Sequence, residues 1–177
     1  MDSCSFIDLI KRDVGDPTEP DRQNDIWYIQ QCLKSSRAGE IEVVTSMLTI
    51  TEVRRGGDNQ PNDEVKKLIR SVLTSGRIVT LAEMTLGVAE KARDLHWDHG
   101  IILGGADSIH VATAILTGCK EFFTTDARKK SPLAYVTEIG NLGLRVIRAA
   151  DTRLLPAEYL QADLLGEDEP TPLDPAS

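Results

Sequence analysis

Apolar residues in the first third of the chain change between helical spacing and short β-branched runs. SCSFIDLIKR has apolar residues spaced for a short helix directly after Asp2. Residues 21–39 predict a second helix, which Gly39 ends, and IEVVTS at 41–46 predicts a strand. A further helix is expected over MLTITEVRRGG, 47–57, with Gly56 and Gly57 as its stop.

The remaining elements continue this alternation. The pattern predicts, in order, a helix over 63–76, a strand over 77–81, helices over 82–100 and 107–117, and strands over 121–125 and 144–147. Short strands alternating with longer helices predict an α/β domain with a mostly parallel sheet. We assign this domain to residues 1–150, followed by a C-terminal helical extension over 151–165 and an acidic disordered tail over 166–177.

The net charge of the chain argues against one class of function. The chain has 177 residues, which suits one domain, and a formal net charge of −8. A charge of this sign argues against a broadly basic nucleic-acid-binding surface. The tail GEDEPTPLDPAS carries four acidic residues and no basic one. Its Pro-rich, acidic composition predicts disorder, with an interaction tail as the alternative.

The sequence also predicts the cellular compartment of the protein. No apolar run approaches the roughly 18 residues of a membrane span, and the first residues do not resemble a signal peptide. Cys4, Cys32 and Cys119 are widely spaced and lack a CxxC pair. Reduced thiols in a cytoplasmic protein that makes no membrane contact are the expectation.

Four acidic residues stand at element boundaries: Asp2, Glu52, Asp107 and Asp126. In open α/β sheets, sites gather at the carboxyl ends of strands and the first turns of the following helices. Each acid alone has a simpler interpretation. Asp107 could cap its helix, Asp126 could be a turn residue, and Glu52 could be a solvated helix residue. A buried carboxylate needs a partner in any case, either local donors or a cation.

The motifs around these acids resemble those of a known family. MDSCSFIDLI, TSMLTITEV, GADSIHVATAI and FFTTDAR are similar, in order, to the four acidic motifs of PIN-domain nucleases, especially the VapC-type toxin ribonucleases. The resemblance covers roughly residues 1–150. It implies a three-layer α/β/α fold with a mostly parallel central sheet, in which Asp2, Glu52, Asp107 and Asp126 converge as metal ligands and catalytic residues.

The resemblance implies a function as well. Family members bind Mg²⁺ or Mn²⁺ and cut RNA, so we expect a metal-dependent endoribonuclease that hydrolyses phosphodiester bonds as the toxin of a type II toxin–antitoxin system. A small antitoxin protein and a homodimer are the implied partners. The chemistry agrees, because crowded carboxylates repel one another unless a cation neutralises them. Hard divalent cations prefer oxygen ligands and can activate a water to attack phosphorus.

Polar residues beside the acids are candidates for substrate binding. Thr125, Arg128 and Lys129 follow the last strand-end motif, and Arg54 follows Glu52. Their positive charges or hydroxyl could hold phosphates, although solvated turns and β-propensity explain them equally well. His110 shares a helix face with Asp107 and either supports the site, contacts the substrate, or is an ordinary hydrogen-bonded histidine near the surface.

One departure from the family pattern concerns the first strand. In the family the first Asp ends a central strand, whereas only Met1 precedes Asp2, so the first strand is predicted to be missing or truncated. We favour a start that lies upstream. The alternatives are a sheet that closes differently and a degraded relative that no longer cuts.

Two other function classes compete with the nuclease. The first is a catalytically inactive PIN-like module that binds RNA or protein. The second is a phosphatase or phosphotransferase with Asp2 as nucleophile. Ser3 and Cys4 after Asp2 disfavour it, since that chemistry typically uses a DxD pair.

Overall fold

A computed structural model describes residues 1–13, 19–54 and 62–161. The described helices are α1 (Ser3–Asp13), α2 (Gln23–Ala38), α3 (Leu48–Glu52), α4 (Asp63–Leu73), α5 (Leu86–Trp97), α6 (Gly105–Leu116) and α7 (Val136–Gly140). The strands are β1 (Val44–Ser46), β2 (Thr80–Ala82), β3 (Glu121–Phe123) and β4 (Arg145–Ile147). None of these helices is long and apolar enough to cross a membrane.

Local capping sets the helix boundaries. Gly39 ends α2 as predicted, with φ of 81°, a left-handed conformation that glycine adopts without steric cost. The helix predicted from residue 82 instead begins at Leu86, because the Thr85 hydroxyl accepts a hydrogen bond from the Val88 N–H and caps it. The short α7 was not predicted. The predicted stop at Gly56 and Gly57 lies outside the described residues.

The strands form two parallel pairs rather than one continuous sheet. β1 pairs with β2, and β3 pairs with β4. Met1 and Asp2 lie between the pairs: the Met1 nitrogen donates to the Val44 carbonyl at 2.9 Å, and the Asp2 N–H donates to the Phe123 carbonyl at 3.1 Å. The α/β class with a mostly parallel arrangement is confirmed, and these two residues stand where the predicted first strand would end.

Two apolar clusters hold the elements together. One packs α1, α2 and α4 around Phe6, Ile29 and Leu73. The other packs α5, α6 and β3 around Leu95 and Phe122. Helix α6 is apolar on nearly every side, and its middle is fully buried. Helix α6 packs against β1, and its burial makes it a central helix of the domain.

A buried ion pair ties α2 to the segment after β4. Asp25 is 1% exposed, and its carboxylate accepts a hydrogen bond from Arg148 Nε at 2.7 Å. The Ala150 N–H donates to its other oxygen at 3.0 Å. After this contact the chain forms two short 3-10 turns, 149–151 and 157–160. The division at residue 150 stays a prediction, and the tail from residue 162 lies outside the described residues.

Candidate active site

Asp2 sits at the start of α1 with its carboxylate buried. Ser5 donates to one oxygen through its N–H at 3.1 Å and its hydroxyl at 3.0 Å, and the Thr124 hydroxyl also donates to this carboxylate. Burial raises the pKa of Asp2, and these hydrogen bonds oppose that rise. Because Thr124 follows β3, the contact joins the beginning of the chain to the β3 end of the site.

Asp107 is the third residue of α6, so it does not occupy the capping position. Gly104 stands there with no side chain to cap the helix. The Asp107 carboxylate folds back over that glycine, where a β-carbon would lie 3.2 Å from Oδ2. Burial raises the pKa of Asp107, and the carboxylates of Asp126 and Asp2 raise it further. Three acids from separate parts of the sequence are therefore close enough to repel one another electrostatically.

Asp126 follows β3 and pairs with Arg128. Its Oδ1 accepts from both the N–H and Nε of Arg128 at 2.9 Å. The Arg128 hydrogen bond holds the pKa of Asp126 below its ordinary value. The contact to the Arg128 N–H is that of a turn residue, so the simpler interpretation of Asp126 is also correct. The Asp126 side chain is only 8% exposed, whereas the Arg128 side chain is 79% exposed.

Glu52 ends α3, a helix that starts at Leu48. Its Oε2 lies 2.7 Å from His110 Nε2. His110 in turn lowers the pKa of Asp107, against the larger effects that raise it. Glu52 thus contacts His110, a residue beside the acid cluster.

His110 is 3% exposed, so the interpretation as a histidine near the surface is wrong. Its Nε2 donates to Glu52, because an ionised carboxylate can only accept. Its Nδ1 is the one buried side-chain nitrogen or oxygen in the described ranges that has no hydrogen-bond partner.

Arg22, Asp8 and Thr125 form a hydrogen-bonded group beside the acids, and the sequence analysis did not predict it. Arg22 Nη1 donates to Asp8 Oδ2 at 2.9 Å and to the Thr125 hydroxyl at 3.2 Å. Burial acts to lower the pKa of Arg22, but the hydrogen bond and charge of Asp8, with the charge of Glu19, together raise the pKa above its ordinary value. The sequence around Arg22 does not indicate a site residue, because Arg22 and Thr125 are 103 positions apart and come together only in the folded chain. Asp8 lies in α1, the helix that directly follows Asp2.

Cys4 is surrounded by these acids. Burial raises the pKa of its thiol to about 12, and Asp2, Asp126, Asp8 and Asp107 each raise it further. All four charges act on one sulfur, which is consistent with carboxylates that lie around a common volume. The thiol itself is protonated at neutral pH.

The residues predicted to bind substrate occupy different positions. Thr125 is half-buried within the Arg22–Asp8 group, and Arg128 lies exposed over Asp126. Lys129 is exposed next to it. Arg54 is also exposed, donates to the Thr51 carbonyl at 2.5 Å and lines a separate groove beside α4.

The family model of the PIN domain matches residues 2–131. The chain belongs to the PIN domain family. PIN domains are generally nucleases that act on nucleic acids and use divalent metal ions. The match includes all four predicted acids. Neither the curated proteins nor the solved structures contain a match to the chain.

The donor set of this PIN domain suits a hard divalent cation. Asp2, Asp107 and Asp126 offer only carboxylate oxygens, the ligand type that Mg²⁺ and Mn²⁺ prefer. Burial is the main cause of the raised pKa of Asp107, the charges of Asp126 and Asp2 add to it, and a bound cation would favour the ionised form of this carboxylate. Within 1–13, 19–54 and 62–161, no three His, Cys, Asp or Glu side chains already have metal-binding geometry. Arg128 Nε contacts both oxygens of the Asp126 carboxylate, so a cation would compete with Arg128 for this ligand.

Proposed function

We propose that the protein is an endoribonuclease that requires Mg²⁺ or Mn²⁺, with Asp2, Asp107 and Asp126 as metal ligands and Glu52 as the fourth acid. The observation that carries the proposal is the convergence of three aspartates: burial is the largest cause of the raised pKa of Asp107, and the nearby charges of Asp126 and Asp2 raise it further. Structural carboxylates are rarely placed together without a compensating charge, whereas nuclease sites require such crowding.

The chain's own residues supply binding and orientation. Ser5 and Thr124 fix one side of Asp2, and His110 holds Glu52 beside the cluster. The exposed guanidinium of Arg128, with Lys129, is suited to phosphate oxygens of an RNA strand, and Thr125 and Arg54 complete the proposed contacts. A bound divalent ion supplies positive charge to the phosphate and lowers the pKa of a water.

We further propose that this nuclease is the toxin of a type II toxin–antitoxin system. The support is the similarity of its four motifs to those of VapC-type toxins. A small antitoxin protein would cover the acid cluster, and a homodimer is the assembly expected from that resemblance. Induced expression should arrest growth for the wild-type chain but not for Asp107→Asn.

Cleavage of RNA by the purified protein tests the nuclease proposal. The wild-type protein should cut RNA with added Mg²⁺ or Mn²⁺ and lose this activity in EDTA, and Asp107→Asn should abolish cutting. Asp98→Asn makes the same chemical change at an exposed position and should cut normally. RNA binding without cleavage would favour the catalytically inactive module. Equal cutting by Asp107→Asn would refute the assigned site.

A further inference from the structure

Arg22 places a positive charge beside the acid cluster. Its Nη1 donates to the Thr125 hydroxyl at 3.2 Å, and Thr125 directly precedes Asp126. The pKa of Asp126 is lowered mainly by its hydrogen bond with Arg128, and the charge of Arg22 adds to this effect. Arg22 is therefore close enough to act electrostatically on a proposed metal ligand, although the two residues are far apart in sequence.

Partners from two elements hold the Nη1 group of Arg22 in place. Nη1 donates to Asp8 Oδ2 at 2.9 Å, and Asp8 is 5% exposed in α1. The Thr125 hydroxyl accepts from the same Nη1 and donates to Asp8 Oδ2 at 3.3 Å. Because these three groups contact one another in a ring, the plane of the guanidinium is fixed by α1 and by the segment after β3.

The opposite edge of the guanidinium carries Nε and Nη2. Nε donates to Glu19 Oε2 at 3.1 Å, and the Glu19 side chain is 69% exposed. No residue within 1–13, 19–54 and 62–161 accepts a hydrogen bond from Nη2. Nε and Nη2 form a planar fork that matches two oxygens of a phosphate. Displacing an exposed carboxylate such as Glu19 costs little, so this edge is open to an anion.

We propose that the Nε–Nη2 edge of Arg22 binds a phosphate of the RNA strand next to the phosphate that is cut. This inference rests on the proposed function, because it takes RNA as the substrate. The hydrogen bonds of Arg22 go to Asp8, Thr125 and Glu19 and not to a proposed metal ligand. The phosphate on Arg22 is therefore a neighbour of the scissile one, and Arg22 binds substrate without touching the reacting atoms.

Binding of a fluorescein-labelled single-stranded RNA of about 12 nucleotides tests this contact. Anisotropy is measured in EDTA, in which the proposed nuclease does not cut. Arg22→Gln should raise the Kd roughly five- to tenfold. It should also reduce the slope of log Kd against the logarithm of the salt concentration by about 0.7, the change expected for one phosphate contact on a single strand.

Arg37→Gln is the matched control. Arg37 is exposed near the last turn of α2, whereas Arg22 directly precedes the first turn. The 16 residues of α2 separate the two positions by about 24 Å, which exceeds the distance over which salt screens exposed charges. Arg37→Gln should therefore bind RNA as the wild-type protein does. An equal loss in both variants would show a general charge effect and overturn the proposed contact.

A second pair of variants separates phosphate binding from support of Asp8. Arg22→Gln leaves the buried Asp8 carboxylate without its cation, so the comparison is repeated in the Asp8→Asn background. Asp8→Asn/Arg22→Gln should bind RNA roughly five- to tenfold more weakly than Asp8→Asn alone. If Arg22 served only to neutralise Asp8, the two proteins would have the same Kd, and that result would overturn the proposal.

Glu19 gives a test with the opposite sign. Glu19→Gln removes the carboxylate that occupies Nε, so it should lower the Kd roughly two- to threefold. In the Arg22→Gln background the same change should have no effect, because the edge that Glu19 covers is then absent. An equal gain in both backgrounds would mean that Glu19 acts through general repulsion and would count against the Arg22 site.

Cleavage kinetics with Mn²⁺ distinguish this inference from the nuclease proposal. Arg22→Gln should raise KM and leave kcat within about twofold of the wild-type value. Cleavage by the wild-type protein, with Kd and KM unchanged in Arg22→Gln, would overturn the Arg22 site and leave the nuclease proposal standing. RNA binding that depends on Arg22, without cleavage by the wild-type protein, would support the Arg22 site and overturn the nuclease proposal.

Discussion

His110 Nε2 lies 2.7 Å from Glu52 Oε2, which joins the middle of α6 to the end of α3. The two residues are 58 positions apart in sequence. His110 is buried, whereas the Glu52 side chain is 29% exposed. The buried imidazole therefore fixes the direction of the more exposed carboxylate, and His110 acts as a positioning residue for Glu52.

Replacing His110 should impair cleavage without weakening the fold. His110→Leu removes the donor to Glu52 and also the unpartnered Nδ1, so we expect the free energy of unfolding to stay equal or rise. RNA cleavage should fall roughly 10- to 100-fold, the usual range when a group that orients a metal-site carboxylate is lost. Cleavage rates and urea unfolding of the same preparations measure both effects.

His110→Gln is the matched control, because its amide N–H₂ can still donate near the position of Nε2. It should recover much of the activity lost in His110→Leu. In the Glu52→Gln background, His110→Leu should cause little further loss. Additive losses in the double variant would contradict a role through Glu52.

Arg128 competes with a cation for Asp126. Its guanidinium is largely exposed, and an exposed ion pair contributes about 0.2–1 kcal/mol. We expect Arg128→Gln to raise the affinity for Mn²⁺ roughly two- to fivefold, measured by calorimetry, while weakening RNA binding. Lys130→Gln removes the same charge nearby and should leave Mn²⁺ affinity unchanged. A weaker Mn²⁺ affinity in Arg128→Gln would show that Arg128 supports the site instead.

Because the acids are crowded, the stability of the metal-free protein should depend on pH. The folded pKa of Asp107 lies above its ordinary value of 3.8, so the folded state takes up a proton more readily than the unfolded state. Stability from this group should therefore rise as pH falls from neutral toward about 3.8. Asp107→Asn removes the repulsion, so its Tm in EDTA at pH 7 should rise by roughly 1–3 °C.

The Tm of Asp107→Asn should change less with pH between 4 and 7 than the Tm of the wild-type protein. Burial also raises the pKa of Asp2, so Asp2 should account for the pH dependence that remains. Asp126 has the opposite effect on the pH dependence of stability, because its hydrogen bond with Arg128 lowers its pKa. The stabilisation that ionised Asp126 provides is lost only at lower pH, where its carboxylate takes up a proton. Thermal unfolding across this range tests the sign. A lower Tm for Asp107→Asn at pH 7 would mean that the carboxylate makes a net favourable contact.

The sequence predicted the α/β class because helical periodicity and β-branched runs are local signals. Gly39 ended α2 as expected for the same reason. The division into two strand pairs could not be predicted, since it depends on a gap that only two residues bridge. The start of α5 was placed one turn too early, because Ala82 ends β2 and Thr85 caps the helix, and apolar periodicity reports neither.

The sequence motifs identified the four acids, but they did not predict the contacts and burial of these side chains. Asp107 was expected either to cap its helix or to bind metal, and the structure gives the capping position to Gly104. His110 was ambiguous because burial is a tertiary property. Arg22 carried no signal, since it reaches Asp8 and Thr125 across distant parts of the chain. Whether the four acids bind metal stays a prediction.

The buried Asp25–Arg148 pair should be a large contributor to stability. Asp25 accepts from Arg148 and from the Ala150 N–H and is 1% exposed, so Asp25→Ala leaves a cation and a backbone donor without their acceptor. Because the Arg148 side chain is 37% exposed and keeps its contact with Asp21, we expect a loss of about 1.5–3 kcal/mol in the free energy of unfolding. Asp21 contacts the same guanidinium at 3.4 Å, but its side chain is 62% exposed, so Asp21→Ala should cost less than about 1 kcal/mol. Urea unfolding of the two variants compares them directly, and equal losses would contradict the assignment of the anchor to Asp25.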